Sequence, residues 1–367
     1  MESIDNDGND SIDGNAGIGG NDDESYANRE QGGNENQGET GTNSNIAANG
    51  EVTHPGLQPG LEEVKPNEAG KVMIVMFHNF VETFTETKYD KGEYTMTFDS
   101  FRELLHNLYE RGYRPVSLKD YLENNIPVPA GCVPIVFTFD DGTPGQFNLV
   151  EENGTLKANR KSAVGIMEEF SEMHPDFELR GTFFVNLGTS AFSGKGTLAE
   201  RLEYLIEKGF EIGNHTLNHA NLTTVKSVEK MLQEVGGNQK KMYELVPGYK
   251  MFAFSLPYGN PSKGLFEYVI SGEYEGIRYE NLAILEVGAH PALASIHKNF
   301  NPYSVPRVRS PGINPEKFDL YWWLENISRD DEYISDGNPD TITVPRGSEE
   351  NITMDRSNGR ELVVYEK

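Results

Sequence analysis

Two short stretches hold the residues best suited to chemistry. Thr138-Phe139-Asp140-Asp141-Gly142 puts two adjacent carboxylates at the end of an apolar run, Val133-Pro134-Ile135-Val136-Phe137. His215-Thr216-Leu217-Asn218-His219 sets two imidazoles four residues apart, just after Phe210-Glu211-Ile212-Gly213. One carboxylate and two imidazoles make a three-ligand set for a divalent metal, with a position left open for water. The second carboxylate is then free to act as a base, and together these groups suit metal-assisted hydrolysis. Neighbouring residues of a regular strand point to opposite faces. Both carboxylates therefore reach one point only where the strand ends and the chain turns. Asp141 is assigned to the metal and Asp140 to the base, with His215 and His219 completing the metal set.

Such a site needs elements that deliver these residues to one rim. Val72–Phe77 is a short apolar run ending at His78. Phe98, Phe101, Leu104, Leu105 and Leu108 recur on one helical face, which predicts a helix over Thr97–Arg111 stopped by Gly112. A strand over Arg114–Ser117 and a brief helix over Leu118–Asn124 follow, and then a strand over Val133–Phe139. Residues 142–160 show no period and read as a long surface loop. Helices are predicted over Ser162–His174, Leu198–Lys208 and Val225–Leu245, and strands over Thr182–Asn186, Glu211–Gly213 and Met251–Ser255. Ala283–Val287 and Val305–Val308 are later strands. Asn314, with Pro315 after it, caps a helix to about Asn326. Ser357-Asn358-Gly359 reads as the turn of a hairpin between Ile352–Met354 and Glu361–Tyr365. Strands alternating with helices imply an α/β fold with a parallel sheet. In barrels of this kind, chemistry sits at the C-terminal ends of the strands.

Composition narrows the function class. The chain has 58 acidic and 32 basic side chains, a net charge of −26. Residues 1–70 alone hold 15 acids and two bases. Residues 1–65 are rich in Gly, Asn, Asp and Glu, bury too little apolar surface to offset the entropy of ordering, and are expected to be a disordered acidic tail. Residues 66–367 then form one catalytic domain. The acidic balance argues against nucleic acid as a partner. No run of about 18 apolar residues is present, so no transmembrane segment is expected. No export signal is visible, yet a polar tether ahead of a domain suits an extracellular or envelope-attached protein, here expected to be a monomer. The single cysteine, Cys132, excludes an intramolecular disulfide and reads as a buried, inert thiol.

Taken together, Thr138–Gly142, Gly181-Thr182-Phe183-Phe184-Val185, Gly213-Asn214-His215 to His219, and Leu256-Pro257-Tyr258-Gly259 resemble the polysaccharide deacetylase family (carbohydrate esterase family 4, the NodB-homology domain) in order and spacing. The resemblance spans about residues 72–310. It implies a distorted (β/α) barrel that hydrolyses N-acetyl groups on a GlcNAc-containing polysaccharide, with Zn²⁺ held by Asp141, His215 and His219 and with Asp140 as base. It also implies that Pro257 lines the substrate groove and that the Tyr258 backbone N–H helps hold the oxyanion.

Two departures stand out. Ser255 occupies the position where many members carry the arginine that holds the base, and the usual late Leu-x-His motif is not found. Val75-Met76-Phe77-His78 is similar to the start of the branch that includes biofilm exopolysaccharide deacetylases, where an early histidine is the general acid. His78 is therefore assigned that role, with His290 and His297 as rivals. Arg307 and Arg309, in Pro306-Arg307-Val308-Arg309, are candidates for the missing arginine and for substrate contacts. An O-acetyl esterase acting on xylan, and a family member that binds glycan without turnover, are the alternatives.

Overall fold

In the computed structural model, which describes residues 60–367 apart from 89, 190 and 262, the apolar run after Gly70 becomes strand β1, Lys71–Phe77. The expected tail falls outside the described residues as far as residue 59; beyond it, the Lys65 N–H donates to the Leu61 carbonyl in a turn. Further strands are β2 Tyr113–Val116, β3 Val133–Asp140, β4 Thr182–Val185, β5 Glu211–Asn214, β6 Ala253–Ser255, β7 Ala283–Leu285 and β8 Val308–Arg309. Their order is β7-β6-β5-β4-β3-β1, with β8 beside β1 and β2 beside β3, and all of these pairs are parallel. Val305 bridges Leu285 of β7, while Val308 and Arg309 pair with Val75 and Met76 of β1. The stretch from Val305 to Arg309 thus reaches from one end of the curled sheet to the other. This is the expected α/β architecture, a curled sheet that is parallel apart from the short antiparallel strand Ala292–Leu293 beside β1.

The strands are buried on both faces because helices cover the outside, as crossover connections require. All eight residues of β3 are buried. Its outward face carries Phe137 and Phe139, and Phe139 stacks on Phe77 at 5.3 Å and on Phe183 at 4.6 Å. These rings pack in the same core as Phe101, Leu104, Leu105 and Leu108 of helix Phe98–Glu110. The inward face carries Val136, packed with Ile74, Phe184, Ala253 and Ala283. By alternation Thr138 and Asp140 continue that inward face toward the rim.

Several helices begin where a capping side chain predicts. Thr97, Ser162 and Ser227 each accept a hydrogen bond from the third residue onward, and Thr197 forms a complete capping box with Glu200.

Four expectations fail. Residues 142–160 are not a plain loop but contain a hairpin, Asn148–Glu152 with Thr155–Ala158. Its turn is Asn153-Gly154, at φ 53° and 77°, the left-handed pair that a two-residue hairpin needs. The last helix starts at Leu320 and is capped by Asp319, which accepts the Trp322 N–H; the Asn314 amide instead bonds the Lys91 carbonyl. The C-terminal hairpin does not form. Asn358-Gly359 does turn in left-handed backbone, but Met354–Arg356 is a 3-10 turn and Glu361–Tyr365 pairs in parallel with Thr341–Pro345. Cys132 is half-buried rather than buried, just before β3.

Candidate active site

Asp140 is the last residue of β3 and Asp141 the first of the turn, at φ 78°. That left-handed residue lets neighbouring carboxylates serve one site. The Asp141 N–H donates to the Phe184 carbonyl at 3.0 Å, which ties the turn to β4.

Asp140 is 1 % exposed and is gripped by Arg307, itself fully buried. Arg307 Nη1 donates to Oδ1 at 2.8 Å and Nη2 to Oδ2 at 2.7 Å. Such a two-pronged contact fixes direction as well as charge. The same guanidinium reaches Ser255 Oγ at 2.8 Å, Thr138 Oγ1 at 3.1 Å and, through Nε, the Glu286 carbonyl at 2.8 Å. Ser255 in turn donates to Asp140 Oδ2 at 3.1 Å. Burial pushes the Asp140 carboxyl up, but the Arg307 charge, followed by His215, outweighs it and holds the group well below the usual carboxylate range.

The two imidazoles stand on a loop held by buried amides. Asn214, at the end of β5, donates to the Val235 carbonyl and accepts from the Thr216 N–H and from Asn238 Nδ2. Asn238, on helix Val228–Leu245, also donates to the Val185 carbonyl and accepts the Leu187 N–H. Asn186 donates to the carbonyls of His215 and Thr216. Thr216 and His219 take left-handed backbone, φ 64° and 54°. The loop is therefore not a helical turn, and left-handed residues rather than helix periodicity bring the rings together, with centroids 5.0 Å apart. His215 Nδ1 faces the Ser255 carbonyl at 2.8 Å, leaving Nε2 to face Asp141.

Asp141 Oδ1 lies 3.5 Å from His215 Nε2 and 3.3 Å from His219 Nε2. One ligand atom from each of the three residues falls within 4.8 Å of the others. Two donors at about 2.0–2.1 Å from a tetrahedral zinc lie roughly 3.3–3.4 Å apart, so the donor set fits such an ion in spacing as well as in chemistry.

His78 follows β1 at the same rim, its carbonyl held by Thr143 Oγ1 at 3.1 Å and Gln146 Nε2 at 2.6 Å. Its ring meets Tyr94 edge-on at 5.0 Å. Nδ1 is buried and has no hydrogen-bond partner among the described residues. Burial lowers its pKa, and the charges of Asp140 and Asp141 offset this only in part.

Pro257 is buried and Tyr258 is 60 % exposed at φ 60°, its ring 4.8 Å from that of His219. His290 lies instead against Phe318 and Trp323. His297 pairs with Ile352 and accepts the Asn299 N–H. Of the two arginines, Arg307 reaches Asp140, whereas Arg309 pairs with Glu316. Thr138, quoted above only as part of its motif, and Asn186 and Asn238 have no role that the sequence assigns. Their only signal is a polar residue inside an apolar strand or helix face.

Residues 128–277 match the family model described as polysaccharide deacetylase. That segment, which holds both the Asp-Asp turn and the histidine loop, is thus similar to a polysaccharide deacetylase domain. Among solved structures, a polysaccharide deacetylase from Bacillus cereus is similar at 16 % identity and TM-score 0.51, covering 70 % of this chain and 69 % of its own. The Streptococcus pyogenes deacetylase PplD, solved in complex with acetate, aligns at 17 % identity and TM-score 0.50, covering 70 % of this chain and 98 % of its own. No curated protein matches by sequence.

Proposed function

We propose, with that similarity as the premise, that this protein removes N-acetyl groups from a GlcNAc-containing polysaccharide of a cell wall or exopolysaccharide matrix. The observation that carries the reading is the pairing of two neighbouring carboxylates with different partners. Asp140 is clamped by Arg307, and Asp141 faces the two imidazoles at 3.3–3.5 Å. An amide hydrolase of this type needs a base beside a metal, and the pair supplies both.

Asp141, His215 and His219 would hold a divalent ion, with Zn²⁺ best suited to one oxygen and two imidazole donors. An ion there would polarise the acetyl carbonyl and bring the pKa of a water to about 7. Asp140, fixed by Arg307 and Ser255, takes the proton of the attacking water. The new C–O bond forms at the acetyl carbonyl carbon, and the Tyr258 backbone N–H helps hold the developing oxyanion. Such a donor is worth about 3 kcal/mol. As the C–N bond breaks, His78 donates a proton to the departing amine. Acetate and a glucosamine unit leave.

Arg307 supports this scheme as the counterpart of the arginine that Ser255 displaces. It arrives from the residue just before β8 instead of from β6, and Ser255 is small enough to let it pass and to bond both partners. Residues 66–367 would act as the catalytic domain behind the acidic stretch 1–65, outside the cell or attached to its envelope, as a monomer. No helix among the described residues is long and apolar enough to cross a membrane.

Metal analysis joined to acetate release on a panel of acetylated glycans tests the reading. Release from chitin oligomers supports N-deacetylation. Release from acetylxylan alone makes the protein an O-acetyl esterase, and release from neither leaves a glycan binder.

A further inference from the structure

We propose that Phe318, Trp322 and Trp323 form an aromatic shelf that binds a sugar ring of the glycan chain beyond the unit being deacetylated. The proposal rests on the polysaccharide-deacetylase reading above and adds a second binding site to it.

Phe318 is 36 % exposed and sits at φ 70°. A bulky residue in left-handed backbone is a strained arrangement, and such strain persists where function holds it. A glycine there would relieve the backbone, and an exposed ring gains little from water. The residue is nonetheless built into a graded stack. Phe318 meets Trp322 edge-on at 4.7 Å, and Trp322 meets Trp323 at 4.8 Å. Trp323 is anchored, packing against the main core and donating its indole N–H to the Ala289 carbonyl at 2.9 Å. The stack thus runs from a fixed inner indole to an outer ring at the surface. His290 closes one side, 6.0 Å from Trp323 and 6.1 Å from Phe318. Lys317 lies over the Phe318 ring at 4.8 Å, the flexible and removable cover that a long side chain provides.

A series of contacts joins the shelf to the candidate active site. Asp319, the cap of the helix that carries both tryptophans, bridges Arg309 at the end of β8. Arg309 pairs with Glu316 and lies 5.6 Å from the Tyr94 ring. Tyr94 in turn touches His78 at 5.0 Å. The occupant is therefore the substrate chain itself. A pyranose has an apolar C–H face and a hydroxyl edge, which suits aromatic faces bordered by an imidazole and an ammonium group.

The chain has only two tryptophans, Trp322 and Trp323, so intrinsic tryptophan emission reports on the shelf alone. The test titrates the full-length Asp140→Asn protein, loaded with zinc, with chitohexaose and with chitobiose. The expected result is a saturable emission change with the hexamer. Phe318→Ala should raise the half-saturating concentration by about tenfold, and Phe318→Tyr should restore it. On the active protein, Phe318→Ala should lower the hexamer-to-dimer ratio of kcat/KM by a similar factor. Emission that ignores the hexamer while wild-type protein releases acetate from it overturns the shelf and leaves the deacetylase reading standing. Emission that responds while no acetate is released sinks the deacetylase reading and keeps the shelf. The wild-type emission titration separates these outcomes even if a variant fails to fold.

Discussion

At the scale of single residues, the distinctive exchange is Ser255 with Arg307. Asp140 is buried, and a buried carboxylate without its cation is costly. Arg307→Met is expected to destabilise the fold by about 3–5 kcal/mol, read in denaturant unfolding, because it strands that charge. Turnover should fall with it, while an equal loss of folded protein and activity would reduce Arg307 to a structural role. Asp140→Asn should keep the metal and lose turnover; normal deacetylation by that variant removes Asp140 from the base role. His78→Ala should spare metal binding and slow the reaction about 10²–10⁴-fold. The sign of the His78 shift adds a pH test. Its pKa lies below the ordinary 6.5 because burial disfavours the charged ring, and a bound dication pushes the same way. A required proton on His78 is then lost as pH rises, so kcat/KM should decline from a midpoint below 6.5, and His78→Ala should lack that limb. The sequence exposed Asp140, Asp141, His215 and His219 because their types and spacing are chemically unusual. It left Arg307 and Arg309 equivalent, since residues two apart on a strand share a face. Arg309 ends β8 beside Met76 and pairs with Glu316, whereas Arg307 sits deeper, just before β8, and its long side chain reaches up to Asp140.

At the scale of elements, the histidine loop depends on amide side chains that no spacing rule points to. Asn238 bonds the Leu187 N–H, the Val185 carbonyl and Asn214 at once. Asn238→Leu should leave those groups unpaired, at about 1–3 kcal/mol each, and weaken zinc affinity about 10–100-fold; competition with a chromogenic chelator measures the latter. Unchanged affinity would mean the loop holds its shape without the network. Strands with long apolar runs and helices with Thr or Ser caps were legible, because burial on both faces and capping chemistry are local. The hairpin at Asn153-Gly154 was also written locally, yet its strands, Asn148–Glu152 and Thr155–Ala158, are too polar to stand out. The Asn358-Gly359 signal misled for the opposite reason. The turn exists, but Glu361–Tyr365 finds a better partner in Thr341–Pro345, a contact that only the folded chain creates.

At the scale of the whole molecule, that parallel pair packs on the barrel through a buried carboxyl. Glu68 accepts the Thr343 N–H at 2.9 Å and the Tyr333 hydroxyl at 3.2 Å. Burial, and then the nearby Asp336 charge, push its pKa up to about 8 from 4.5. The folded protein therefore binds a proton that the unfolded chain has released between those values. Its contribution is complete below about pH 4.5 and is lost as pH rises toward 8. Glu68→Gln should flatten the fall in urea midpoint between pH 5 and 8, and an unaltered slope would assign the fall to other groups. The global curl was legible only as alternating strands and helices; its closure through Val305–Arg309 rests on a two-residue strand and one bridge, too short to carry a pattern. That curl is what brings β3 and β5 to one rim, and the proposed chemistry stands on the cation that Asp141, His215 and His219 would share there. Acetate release from chitohexaose by metal-stripped full-length protein, before and after one equivalent of Zn²⁺, tests this most directly. No release before and recovery after is the predicted result, and full release from the stripped protein would contradict it.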